Sequence, residues 1–226
     1  MKQVLVYSDS LTWGIIPNTR KRLEFEARWP GVVEVALNSN GVRVRVIEDC
    51  LNGRRTVWDD PFKSGRNGLE GLAQRIEIHS PLDMVILMLG TNDFQSVHAH
   101  TAWHSAQGIR TLILEIRATP IEPGMPIPEI LVIAPPEIQA PKGTMAPKFA
   151  GADVKCRGLA SEYRTTTEEL NCHFFDAGSV TTASKLDGIH LDKDQHHVLG
   201  EAIGEIASRL LRGEFCLARE PVDEDS

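Results

Sequence analysis

No stretch of this 226-residue chain approaches the roughly 20 consecutive apolar residues that a membrane-spanning helix requires. The opening run Val4-Leu5-Val6 is cut off by Ser8-Asp9-Ser10, too soon for the core of a secretory signal. Cysteine is scarce. Cys50, Cys156, Cys172 and Cys216 lie far apart and form neither a CxxC pair nor zinc-type spacing. Positive charge is not in excess either: 24 Lys and Arg against 31 Asp and Glu leave a formal charge of −7, with none of the basic bias of a nucleic-acid binder. No G-x-G-x-x-G follows the first apolar run, and no P-loop occurs, which argues against a dinucleotide- or nucleotide-binding domain. These absences lead us to expect a cytoplasmic protein with free thiols, no membrane or nucleic-acid partner, no cofactor and no metal.

What remains is an ordinary globular composition, 42% apolar and 24% charged, long enough to bury one core without disulfides or metals. Short apolar, β-branched runs at 3–7, 42–48, 84–89, 130–134 and 173–176 alternate with helical patterns near 28–39, 66–79, 101–118, 157–171 and 193–212. The run Met84-Val85-Ile86-Leu87-Met88-Leu89 suits a strand covered on both faces. Strand–helix alternation predicts a three-layer α/β/α sandwich around a central, mainly five-stranded parallel sheet. Ligands of such sheets bind at the carboxyl ends of the strands. No repeat or linker divides the chain, so 1–213 reads as one domain and 214–226 as a poorly ordered acidic tail. Two Pro-rich connections, 119–128 and 135–147, read as ordered loops, the second overhanging the active edge.

Four short segments carry possible chemistry. Ser10, just past the first strand, is placed either as a nucleophile or, with Asp9, as a helix cap. Gly53, after the second strand, can aim its N–H at an oxyanion, or Asn52-Gly53 is a plain turn. Asn92, in Gly90-Thr91-Asn92-Asp93, can donate its amide to an oxyanion or serve a turn. Asp187-Gly188-Ile189-His190 places a carboxylate where it can bond the imidazole and fix its tautomer, or it is an Asp-Gly turn. Singly none decides. Together they supply a nucleophile, a base, its orienting acid and oxyanion donors on one sheet edge.

In that order the segments resemble the blocks of the SGNH, or GDSL, hydrolases: a catalytic Ser, an oxyanion-hole Gly, an oxyanion-hole Asn and a closing D-x-x-H. The wording S-L-T-W-G, L-G-T-N-D, F-F-D-A-G-S-V and D-G-I-H is most similar to the bacterial arylesterase and acyltransferase branch. The resemblance implies a flavodoxin-like SGNH fold and a catalytic triad of Ser10, His190 and Asp187. It also implies an oxyanion hole of the Ser10 N–H, the Gly53 N–H and the Asn92 amide. It further implies a small acyl ester as substrate, acyl transfer to water, alcohols or peroxide, and a homo-oligomer. One position departs: Ser8 stands where the family usually has glycine.

Trp13, Ile15, Phe94 and Ile189 flank these residues and are candidate linings of an acyl pocket. Arg54 and Arg55 read as a solvated pair, and His196-His197 as exposed or packed. His98, His100 and His104 could bring a metal by spacing, but no carboxylate or cysteine completes a ligand set. Two other readings stay open: a carbohydrate O-acetylesterase using the same residues, and a non-catalytic α/β ligand-binding domain.

Overall fold

Alternate residues of each strand point to opposite faces, and here both faces are apolar. Val4 and Val6 of β1 (Lys2–Ser8) and Met84, Ile86 and Met88 of β3 (Met84–Met88) face one way; Leu5, Tyr7, Val85 and Leu87 face the other. The computed structural model describes residues 1–214 apart from 20, 120, 121 and 124. With β2 (Val44–Cys50), β4 (Glu129–Ala134) and β5 (His173–Asp176), these strands form a sheet in the order β2-β1-β3-β4-β5, parallel at every pairing.

The helices in chain order are α1 (Ser10–Trp13), α2 (Trp29–Ser39), α3 (Leu72–His79), α4 (Ala102–Ala118), α5 (Met145–Lys148), α6 (Ala152–Lys155), α7 (Leu159–Glu169) and α8 (Lys193–Leu211). Trp29, Val33 and Leu37 of α2 pack with Leu199, Ile203 and Ala207 of α8 on one face of the sheet. Leu72 and Ile76 of α3, Ile109, Leu112, Ile113 and Ile116 of α4, and Tyr163 of α7 cover the other. Each fully buried aliphatic side chain contributes about 1.5–3 kcal/mol on leaving water. The predicted three layers and five parallel strands are therefore present, and no helix among the described residues is long and apolar enough to cross a membrane.

Element ends follow local chemistry. Helix α8 opens on a capping box, the Asp192 side chain accepting from the backbone of Gln195 while Gln195 Oε1 accepts from Asp192 N–H. Helix α4 opens likewise on Thr101 and His104. The helix expected over 66–79 starts only at Leu72, because the segment before it is bound elsewhere. Arg55 N–H donates to Arg66 O and Gly68 N–H to Arg55 O, so that stretch runs extended beside Arg55. The tail expected over 214–226 lies outside the described residues except for Glu214, whose N–H bonds Arg209 O.

Candidate active site

The strand order sets the site. Strand β1 lies between β2 and β3, so the chain leaves β1 at a switch point where connections diverge to opposite sides. Ser10 follows the end of β1, Gly53 the end of β2 and Asn92 the end of β3. The sheet therefore brings the first three sequence segments to one edge, with the serine in the middle.

Ser10 is the first residue of α1, a single turn capped by Asp9, whose Oδ1 accepts from Leu11 N–H at 2.9 Å. The cap reading of Asp9 thus holds, and Ser10 is left over for other work. Ser10 N–H and Gly53 N–H donate to no acceptor among the described residues. Gly53 lies at φ +86°, a left-handed conformation that favours glycine, within the turn closed by Arg54 N–H on Leu51 O.

Asn92 sits in a 3₁₀ turn, Thr91–Phe94, entered through Gly90. A β-carbon at Gly90 would stand 2.3 Å from Tyr163 Oη, which itself donates to Leu89 O, so only glycine fits there. The Asn92 amide is held on every side. Its Nδ2 donates to Asp9 Oδ2 at 2.8 Å and to Arg54 O at 3.2 Å, and its Oδ1 accepts from Gln95 Nε2. Of the two Nδ2 bonds, the longer one, to a neutral carbonyl, is the weaker.

Arg54 and Arg55 are not solvated; both are buried, which corrects the reading from sequence. Arg54 donates to Ser8 O, Asp49 O and Asp49 Oδ1, and its guanidinium lies 3.8 Å from the centre of the Tyr7 ring. Arg55 is wholly inaccessible and donates to Asn92 O, Asp59 O and Gln95 Oε1, with Asp60 as its ion-pair partner. Burial lowers its pKa, and the neighbouring carboxylates of Asp60, Asp93 and Asp59 oppose that. Asp93 completes the join: its carboxylate accepts from Thr56 N–H, Thr56 Oγ1 and Ser105 Oγ. The Gly53 loop and the Asn92 loop are thereby bolted together through buried charge.

The fourth segment closes on the same edge. His190 Nδ1 lies 2.7 Å from Asp187 Oδ2, and Asp187 Oδ1 accepts from the N–H groups of Ile189 and His190. Burial alone would raise the Asp187 carboxyl. The hydrogen bond and charge of His190, with those two N–H groups, outweigh it and hold the group below the usual carboxylate range. The segment is anchored by main-chain bonds, Ser184 N–H to His190 O and Gln139 N–H to Gly188 O, with Lys142 N–H on Asp187 O. The second Pro-rich connection thus runs along the histidine loop. The charge of His190 reaches Asp9, next to the serine. No hydrogen bond joins Ser10 Oγ to His190 among the described residues, a contact that often tightens only with substrate bound.

The contact of this site that pattern reading missed is the second one made by Asp9. Its second oxygen holds Asn92, 83 positions away, and burial raises its pKa to about 6, opposed by Leu11 N–H, His190, Asn92 and Arg54. Of the candidate pocket residues, Trp13 and Ile15 are half-buried near the serine, with Arg22 over the Trp13 ring. Phe94 and Ile189 lie in the core shared by α3, α4 and α7. A groove of about 440 Å³ lies elsewhere, between Gly178–Thr182 and the start of α8.

Away from His190, several other histidines have local partners. His98 and His100 stack at 4.6 Å, His100 lies 4.3 Å from the Trp58 ring, and His104 Nδ1 accepts from Thr101 N–H as a cap. Among the described residues no group of three or more His, Cys, Asp or Glu is arranged to hold a metal ion. His196 is fully buried, its Nδ1 accepting from Trp29 N–H, whereas His197 is exposed.

The chain matches the GDSL-like Lipase/Acylhydrolase family over residues 9–198, and it belongs to that family. It is similar to a carbohydrate acetylesterase family member from Sinorhizobium meliloti, with 36% identity, TM-score 0.88 and coverage of 94% of this chain and 100% of that one. It is also similar to the native aryl esterase of M. smegmatis, with 34% identity, TM-score 0.86 and coverage of 93% and 100%. A curated arylesterase from Vibrio mimicus is 33% identical over 92 residues, 41% of this chain and 38% of that protein's length. Membership makes the chain an ester hydrolase of the SGNH type.

Proposed function

We propose that the protein is a serine esterase acting on small acyl esters through Ser10, His190 and Asp187. The single observation that carries this is the buried Asp187–His190 pair at 2.7 Å, on the sheet edge that also holds Ser10. The carboxylate fixes the imidazole with Nδ1 protonated, so Nε2 is the basic nitrogen. His190 takes the hydroxyl proton as Ser10 attacks the ester carbonyl. The tetrahedral oxyanion is met by the N–H groups of Ser10 and Gly53 and by the Asn92 amide, which exchanges its long bond to Arg54 O for the oxyanion. His190 then protonates the leaving alcohol, and water releases the acyl group from the acyl-enzyme. An alcohol or peroxide entering in place of water completes an acyl transfer.

Half-buried Trp13 and Ile15 support a small acyl pocket beside the serine. Release of aryl alcohol from an aryl acetate by the wild type, abolished by Ser10→Ala, tests the reading; full turnover by that variant overturns it. A second reading, acetyl release from acetylated carbohydrates, is favoured by the acetylesterase likeness. It uses the same residues, and the ratio of the two rates on one preparation separates it from the first.

A further inference from the structure

Ser8 occupies the position where the resembled family usually has glycine, and its hydroxyl is fully buried. It is a β1 residue on the face covered by α2 and α8, opposite Met88 in register. Ser8 Oγ donates to Met88 O at 2.5 Å and accepts from Thr12 Oγ1 at 2.6 Å. Thr12 Oγ1 in turn accepts from Trp29 Nε1 at 3.1 Å. An indole N–H can only donate and a carbonyl can only accept, so every proton in this line has one direction: Trp29 to Thr12 to Ser8 to Met88. A glycine at position 8 would deprive the buried Thr12 Oγ1 and Met88 O of these partners.

The two ends of the line matter for the site. Thr12 belongs to α1, the turn that begins with Ser10; Met88 ends β3, four residues before Asn92. The Ser8 carbonyl meanwhile accepts from Leu51 N–H and Arg54 Nη1 of the Gly53 loop, a contact open to any residue type. Beside the direct Asp9–Asn92 bond, the hydroxyl, which glycine lacks, adds a second side-chain tie, from the far end of the nucleophile turn to the strand that leads to Asn92.

We propose that Ser8 is a positioning residue, its hydroxyl fixing the spacing between Ser10 and Asn92. The proposal rests on the esterase reading given above. It acts on the transition state, where nucleophile and oxyanion donors must be in register, and not on ground-state binding.

The experiment compares wild type with Ser8→Ala, Ser8→Gly, Thr12→Val and the double variant Ser8→Ala/Thr12→Val on an aryl acetate. Rates are expressed per site titrated with a covalent phosphonate, so loss of folded protein does not count as loss of rate. Each single change is expected to lower kcat about tenfold, with KM within about twofold, as a sub-ångström misplacement would. The double variant falls no further than the worse single one, because both cut the same line. Ser8→Thr, which keeps the hydroxyl, retains most of kcat. Wild-type kcat in Ser8→Ala and Ser8→Gly overturns the proposal, as does additive loss in the double variant. Should a Ser8 variant fail to fold, Thr12→Val decides by cutting the line from the other side. Ser10→Ala, which lacks the titrated serine and is therefore assayed per mole of folded protein, separates the two levels. If it stays active, the esterase reading fails. If it is inactive while the Ser8 variants keep wild-type kcat, only the positioning role fails.

Discussion

The two halves of this site are built differently. The half proposed to meet the oxyanion, Ser8 to Thr12 with the Gly53 and Asn92 loops, is held by side chains buried from solvent, among them Asp9, Arg54, Arg55 and Asp93. The histidine half, Ser184 to His190, is anchored by main-chain bonds to the 135–147 connection and carries an exposed Leu186. Donors aimed at developing charge are worth most when they need not reorganise, which rewards the expensive, rigid construction of the first half. In the proposed mechanism the base moves a proton between serine and leaving group, which needs orientation more than immobility, and the Asp187 carboxylate is placed to supply it.

The sharpest break in that contrast is expected from Asp187→Asn. An asparagine keeps an oxygen for the N–H groups of Ile189 and His190, so the thermal midpoint should fall only modestly while kcat falls by about 10⁴, as when a triad loses its orienting carboxylate. Thermal melts and initial rates on one preparation check both parts. Arg55→Met should behave in the opposite manner. It strands Asn92 O, Gln95 Oε1 and Asp60, and is expected to cost about 3–5 kcal/mol in denaturant unfolding, because a buried ion pair loses one partner. Asn92→Ala is intermediate, with kcat lower by about 10²–10³ if the amide meets the oxyanion; a rate close to wild type would remove Asn92 from that role.

Last comes a pH dependence of stability. Buried His196 has its pKa lowered to about 3, first by burial and then by Arg28 and His190. The folded state therefore refuses a proton that the unfolded chain accepts, so the stability due to neutral His196 is complete above the unfolded pKa, about 6.5. It is lost as the pH falls from there toward 3. His196→Asn should flatten the acid side of the stability curve, measured by urea unfolding between pH 7 and 4, on top of a pH-independent loss read at pH 8 from the lost packing and the altered bond to Trp29 N–H.

The contrast also explains what could be read from sequence. The strands were legible because continuous apolar runs have few other uses, and the helices because their apolar faces repeat. Asp187 and His190 were legible because their contact is local, three residues apart across a turn. The oxyanion half was legible only as far as Ser10, Gly53 and Asn92. Arg54 and Arg55 follow an Asn-Gly turn, where charge is ordinarily solvated; their burial comes from partners near residues 49, 59, 92 and 95 that only the fold assembles. Asp9 reads correctly as a cap, yet its second oxygen meets a residue 83 positions on. The departure at Ser8 was visible, but its meaning waited on Met88, which pairs with it across the sheet.

The central claim, that Ser10 is the nucleophile of this esterase, is tested most directly by trapping. Mass spectrometry of the intact protein after reaction with an aryl phosphonate, followed by peptide mapping, should find one adduct, on the peptide bearing Ser10, with turnover lost in proportion. Labelling at another residue, or full Ser10 labelling with aryl ester turnover undiminished, would contradict it.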